Sequence, residues 1–98
     1  MKEPNITMTS SELAYYVYML QCNDGTLYTG IALDIEKRVI EHNISPKGAK
    51  YTHSRRPVAL AYSETCKDKS AALKREITIK KMSRLQKNKL ITQSVPTP

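Results

Sequence analysis

The pattern of hydrophobic and polar residues predicts three strands in the first two thirds of the chain. Residues 13–22 (LAYYVYMLQC) and 26–31 (TLYTGI) are rich in β-forming residues, and they flank the turn sequence at 23–25 (NDG), which is typical of a hairpin. Residues 58–66 (VALAYSETC) have the same character and predict a third strand.

The length of the turn decides which side chains share a face of this hairpin. A three-residue turn with Gly25 in the left-handed conformation places Tyr28 opposite Leu20 and Gly30 opposite Tyr18. A two-residue turn would move Tyr28 to the other face of the hairpin. We favour the longer turn because glycine is its third residue, and this register leaves the missing side chain of Gly30 beside Tyr18.

Helices are predicted where capping residues precede a helical pattern. They are a helix from Asp34 to about Asn43, a helix from Asp68 or Ser70 to about Met82, and a short helix to about Ile91 that starts at a capping box of Ser83 and Gln86. The order β-β-α-β-α-α favours an α+β fold in which a small antiparallel or mixed sheet packs against helices. We expect one domain at residues 13–92, flanked by disordered tails at 1–12 and 93–98. Within the domain, residues 45–57 are predicted to form a basic loop.

Composition narrows the class of protein. Hydrophobic residues make up 40% of the 98-residue chain and charged residues 26%, which is typical neither of a disordered tail nor of a membrane protein. The N-terminal residues carry no apolar segment of the signal-peptide kind, and the two cysteines fit reduced thiols, so we expect a cytoplasmic protein. The aromatic residues are six tyrosines without Phe or Trp, so every aromatic side chain brings a hydroxyl that needs a partner when it is buried.

Charge is distributed unevenly along the chain. Residues 1–46 hold three basic and six acidic residues, a net charge of −3, whereas residues 47–98 hold thirteen and three, a net charge of +10. This asymmetry favours a polyanionic partner, most simply nucleic acid, over a merely solvated surface. Five residues fit a surface that tracks phosphates, with the tyrosine able to stack on a base: Lys47, Lys50, Tyr51, Arg55 and Arg56. An ordinary basic surface loop is the alternative.

Glu76 is a carboxylate on the largely apolar side of its predicted helix, next to Ala72 and Leu73 on the helical wheel. Its partner is either Lys80 one turn later, in a helical ion pair worth about 0.3–0.5 kcal/mol, or a magnesium ion. Magnesium keeps most of its waters and often uses only one protein carboxylate, so both readings stay open.

A spaced set of residues is distributed over the predicted hairpin and two of the predicted helices. It consists of Tyr16-Val17-Tyr18, then Tyr28-Thr29-Gly30 after nine residues, then Arg38, His42 one helical turn later, and Glu76 on a later helix. Together with residues 48–52 (GAKYT), this pattern resembles the GIY-YIG endonuclease superfamily, specifically its small single-domain members, over about residues 14–91. Tyr16 stands where the family name has Gly, and Thr29 where it has Ile.

The resemblance implies a three-stranded antiparallel sheet flanked by helices and a metal-dependent hydrolysis of nucleic-acid phosphodiesters. It identifies Tyr18 and Tyr28 as the motif tyrosines, one of which acts as or assists the general base. Arg38 would contact the scissile phosphate, and His42 would lie beside the tyrosine. Glu76 would bind Mg²⁺ or Mn²⁺, and Gly30 and Asn88 would support the site. Arginine suits the phosphate because its planar fork can bridge two oxygens.

The function that the resemblance implies is that of an endonuclease acting on DNA, with branched or damaged DNA as candidate substrates and DNA repair as the setting. An unidentified protein partner would supply specificity, because no appended DNA-binding domain is apparent, and no membrane partner is expected. The alternatives are a nucleic-acid-binding module with weak or no cleavage, and a structural domain whose tyrosines and glutamate are merely packed.

Overall fold

The structure, a computed structural model, describes residues 14–94 and has a three-stranded antiparallel sheet flanked by helices. The strands are β1 (Tyr15–Gln21), β2 (Leu27–Ala32) and β3 (Ala59–Cys66), in the order β2-β1-β3. The helices are α1 (Ile35–Ile44), α2 (Lys50–His53), α3 (Lys69–Lys80) and α4 (Arg84–Ser94). The predicted α+β fold with an antiparallel sheet is therefore confirmed.

The hairpin of β1 and β2 has the register of the three-residue turn. Tyr28 lies opposite Leu20, and Gly30 lies opposite Tyr18. Gly25 has a φ of 85°, the left-handed conformation that a glycine adopts at no steric cost. Tyr18 and Tyr28 consequently share one face of the sheet.

The central strand β1 supplies buried side chains to both faces of the sheet because its residues alternate. One face packs Tyr18, Leu20, Cys22 and Val58 beneath Ile35 and Val39 of α1. The other packs Val17 and Met19 against Ala72 and Ile79 of α3, with Leu90 and Ile91 of α4 alongside. Tyr18 and Tyr28 therefore face α1, whereas Tyr15 packs on the α3 side.

All three predicted helix starts are present with their capping hydrogen bonds. Asp34 accepts a hydrogen bond from the backbone of α1, and Asp68, rather than Ser70, does so for α3. The backbone N–H of Ser83 donates to Gln86 Oε1 at 2.9 Å, and the N–H of Gln86 donates to Ser83 Oγ at 3.1 Å. This reciprocal pair is the predicted capping box.

Two boundaries differ from the sequence-based expectation. The basic segment at 45–57 was expected to be loop throughout, but it contains the single helical turn α2. Four residues are too few to give a helical periodicity in the sequence, and the turn is held in place by the burial of Thr52. Helix α4 continues past Ile91 to Ser94, so residues 93 and 94 are helical. The rest of the two predicted tails lies outside the described residues.

Within residues 14–94, no helix has the length and apolar character that crossing a membrane requires.

Candidate active site

The hydroxyl of Tyr18 and the imidazole of His42 meet beneath α1. Tyr18 Oη and His42 Nε2 are 2.8 Å apart, and the two side chains are 1% and 0% exposed. Tyr18 comes from the middle of β1 and His42 from the buried side of α1. The two residues are joined because Ile35 and Val39 pack α1 onto this face of the sheet.

Gly30 provides the space that the Tyr18 phenol occupies. A Cβ at this position would lie 2.7 Å from Tyr18 Oη, 2.8 Å from Tyr18 Cζ and 3.2 Å from Tyr28 Cε2. The first two distances are shorter than side chains tolerate. The glycine is therefore needed for its lack of a side chain, as the strand register predicts.

The far side of the His42 ring contacts the segment that leads into α2. His42 Nδ1 lies 3.2 Å from the backbone nitrogen of Ala49, which donates to it, and 3.0 Å from Thr52 Oγ1. Thr52 is fully buried. Sequence reasoning did not assign Thr52 to the site, although it ends the segment at 48–52 that carries part of the family resemblance.

Tyr28 continues the aromatic cluster outward from His42. Its ring packs edge-on against His42 with centroids 5.1 Å apart and stacks on Tyr51 at 5.9 Å. The Arg55 guanidinium lies 3.9 Å from the centroid of the Tyr51 ring. Tyr51 itself is 39% exposed.

Arg38 is held at the mouth of the site by its own surroundings. Its Nη1 donates to Glu41 Oε1 and to the carbonyl of Lys47, both at 2.9 Å. The hydrogen bond from Arg38 lowers the pKa of Glu41 below its usual value. A groove of about 270 Å³ lies beside Arg38 and is lined also by Asp34 and Lys37.

The electrostatics of the buried pair keep both groups neutral at pH 7. Burial and the neighbouring Tyr28 raise the pKa of Tyr18 to about 12, against the opposing effect of Arg38. Burial and the positive charge of Arg38 lower the pKa of His42 to about 4. His42 is therefore an uncharged imidazole whose two nitrogens have different roles.

Glu76 lies on α3, on the opposite side of the sheet from α1, yet close enough to act on Tyr18. Its negative charge is among the influences that raise the pKa of Tyr18. Its side chain is 16% exposed, and Oε2 lies 3.3 Å from the exposed Lys80 Nζ. The helical pair that sequence reasoning weighed against a metal ligand is thus present.

The donor set around Glu76 fits only one kind of metal site. Among the described residues, no three His, Cys, Asp or Glu side chains group together in a way that would hold a metal ion. A single carboxylate still suits Mg²⁺ or Mn²⁺, because such ions retain waters and take further oxygens from a substrate phosphate.

The remaining residues of the predicted nucleic-acid surface differ in whether they are exposed or bound to other groups of the protein. Lys47 and Lys50 are exposed, whereas Arg55 pairs with Asp24 at 3.0 Å. Arg56 differs, because its guanidinium donates to three carbonyls at the C-terminal end of α1, those of Glu41, His42 and Ser45. Arg56 thus has a structural role, and its place in the nucleic-acid surface stays a prediction.

Asn88 is exposed on α4 and accepts a hydrogen bond from Arg84 Nε at 3.0 Å. No hydrogen bond or ion pair recorded between residues 14 and 94 joins it to Tyr18 or Glu76. The structure thus provides no contact that supports its predicted place near the site.

Comparison with known proteins places this geometry in a family. A model of the GIY-YIG catalytic domain matches residues 14–90. UPF0213 protein DP2720 of Desulfotalea psychrophila is 57% identical over 81 residues, which cover 83% of this chain and 74% of that protein. UPF0213 protein SSP2268 of Staphylococcus saprophyticus is 57% identical over 79 residues, covering 81% of this chain and 95% of that protein.

Two solution NMR structures share the fold. The UPF0213 protein BH0048 of Bacillus halodurans is 38% identical with a TM-score of 0.54, covering 83% of this chain and 85% of that one. The protein EF2693 of E. faecalis is 37% identical with a TM-score of 0.58, covering 87% and 90%. The chain therefore belongs to the GIY-YIG catalytic domain family, as one of its small UPF0213 members.

Proposed function

We propose that the chain is a divalent-metal-dependent endonuclease that hydrolyses DNA phosphodiester bonds, with water attack assisted by tyrosine. Membership of a nuclease family supports the reaction class. The observation that carries the proposal is the convergence of the buried Tyr18 and His42 with the half-buried Tyr28, where the charge of Arg38 acts on Tyr18.

Arg38 is the group that would hold the scissile phosphate. The hydrogen bonds that hold it to Glu41 and to the carbonyl of Lys47 both use Nη1, and Arg38 also interacts with the Tyr18 hydroxyl. A planar guanidinium fixed in this way can offer two parallel donors to phosphate oxygens. Lysine would supply the charge without the fork.

Tyr18 is the group that would assist the attacking water. A phenol with a pKa of about 12 stays protonated at pH 7, so formation of the phenolate that could act as a base needs additional positive charge nearby. Arg38 supplies part of it. Glu76 would hold the metal ion, whose positive charge, when it is bound, would offset negative charge on the phosphoryl oxygens and ease the ionisation of water.

A cleavage screen tests the proposal. Single-stranded, duplex, flap and junction DNA are incubated with the protein and Mg²⁺ or Mn²⁺, beside Glu76→Gln and Arg38→Ala. The matched control is Glu36→Gln, which removes an equal charge from an exposed position on α1. We expect cleavage by the wild type and the control and its loss in both site variants; equal cutting by all four proteins would contradict the proposal.

A second candidate function is a nucleic-acid-binding module with weak or no cleavage. The observation that favours it is that Arg38 is already paired with Glu41, and Glu76 with Lys80. This reading predicts salt-sensitive DNA binding by all the variants above, with no metal-dependent cutting by any of them.

A further inference from the structure

The hydrogen-bond partners of His42 determine which of its ring nitrogens carries the proton. A neutral imidazole has one donor nitrogen and one acceptor nitrogen, and the surroundings decide which is which. Nε2 faces Tyr18 Oη at 2.8 Å, and a phenol can either donate or accept. The assignment therefore depends on the partners of Nδ1.

Nδ1 faces one partner that can only donate. The backbone nitrogen of Ala49 lies 3.2 Å away with its hydrogen directed at the ring, so Nδ1 must accept. A proton on Nδ1 could be accepted by Thr52 Oγ1, but it would leave the Ala49 N–H without its acceptor beside a fully buried side chain. Gly48 helps to hold the arrangement, since a Cβ there would lie 2.8 Å from the Cα of His42.

Thr52 can supply a second donor without losing any bond that the fold requires. Its Oγ1 lies 3.0 Å from Nδ1 and 2.8 Å from the carbonyl of Ala49. That carbonyl already accepts from the backbone N–H of Thr52 at 3.0 Å. The hydroxyl proton can therefore turn to Nδ1, which then accepts from both of its neighbours.

We infer that the Ala49 N–H and the Thr52 hydroxyl hold His42 with its proton on Nε2, so that His42 donates to Tyr18 and does not take up its proton. Tyr18 Oη then accepts from His42 and directs its own proton away from the ring. Once ionised, the phenolate is stabilised by His42 Nε2–H and by the charge of Arg38. In this arrangement Thr52 is a positioning residue.

The consequence for cleavage rests on the proposed function, whereas the tautomer does not. In a catalytic cycle, the Tyr18 proton leaves toward the solvent or a bound water. His42 supports the ionised tyrosine as a hydrogen-bond donor, and it remains uncharged throughout. Loss of the Thr52 hydroxyl should then lower cleavage by up to about tenfold, the worth of one hydrogen bond.

Long-range ¹H–¹⁵N NMR of the His42 ring at pH 7 tests the inference without reference to activity. We expect Nδ1 to resonate as an unprotonated, pyridine-like nitrogen and Nε2 as a protonated, pyrrole-like one. A protonated Nδ1 in the wild-type protein would overturn the inference, and this holds even if no variant folds.

Two variants test the part played by Thr52. In Thr52→Val, which nearly preserves shape, Nδ1 should stay unprotonated but shift downfield because it loses one donor. In Thr52→Ser the wild-type shift should return. An unmoved Nδ1 signal in Thr52→Val would show that the hydroxyl does not donate to His42, whether or not the protein cleaves DNA.

Discussion

Replacement of Gly30 by alanine tests the site at its most crowded point. The new Cβ would lie 2.7 Å from Tyr18 Oη, roughly half an ångström closer than carbon and oxygen atoms tolerate. Tyr18 is 1% exposed and cannot swing into solvent. The phenol must therefore move away from β2, and its bond to His42 Nε2 must lengthen or break.

The expected cost follows from these distances. Overpacking in a close-packed interior costs about 1–3 kcal/mol, and alanine recovers about 0.5–1 kcal/mol over glycine through backbone entropy. We expect Gly30→Ala to lower the free energy of unfolding by about 1–2 kcal/mol. Cleavage by the folded protein should fall by about ten- to a hundredfold, because a displacement of this size disturbs the reacting geometry.

Gly25→Ala is the matched control for Gly30→Ala. Nothing lies within 4 Å of the Cβ that it would add, but its φ of 85° makes alanine costly there, by about 1–2 kcal/mol. Urea unfolding should show similar losses of stability for the two variants. Only Gly30→Ala should change the NMR shift of His42 Nε2 and reduce cleavage. Wild-type stability and an unshifted Nε2 signal in Gly30→Ala would refute the reasoning.

Three further predictions concern stability, each measured by urea unfolding. Thr29→Val should stabilise the protein by about 1 kcal/mol, because Thr29 Oγ1 is buried without a hydrogen-bond partner among the described residues; a loss of stability would show that the hydroxyl is satisfied. Arg56→Met should lower the free energy of unfolding by about 2 kcal/mol or more, because it leaves carbonyls at the end of α1 without their donor. Arg55→Met breaks an exposed ion pair with Asp24 and should lower it by less than about 1 kcal/mol. Equal losses would contradict this structural role. Since the pKa of His42 is lowered to about 4 in the folded protein, the unfolded chain binds a proton first as pH falls. Stability should therefore decrease from about pH 6.5 to pH 4 by up to about 3 kcal/mol, and an equally steep loss in His42→Gln would assign the effect to other groups.

Local signals in the sequence accounted for most of the fold. The three-residue turn correctly predicted Gly30 opposite Tyr18, because strand register follows from turn length. Asp34, Asp68 and the pair of Ser83 and Gln86 likewise marked helix starts, since capping depends on residues only a few positions apart.

The basic segment at 45–57 behaved differently because its structure depends on distant partners. Arg56 looked like a phosphate contact from its charge, yet its guanidinium serves the carbonyls of α1. Tyr51 looked free to stack on a base, yet it already contacts Tyr28 and Arg55. Arg55 is only four residues from Tyr51, but Tyr28 and the α1 carbonyls bound by Arg56 are too distant in the sequence to leave a local signal.

The candidate site combines both kinds of information. Strand and helix periods predicted that Tyr18 and Tyr28 share a face and that Arg38 and His42 lie one turn apart, and the resemblance to the family assigned their roles. The contacts of His42 with Ala49 and Thr52 were not predicted, since they arise only when the segment after α1 folds back over the ring. Hydrogen-bond direction at a buried imidazole is a property of all the groups packed around it, and those groups are assembled only in the folded chain.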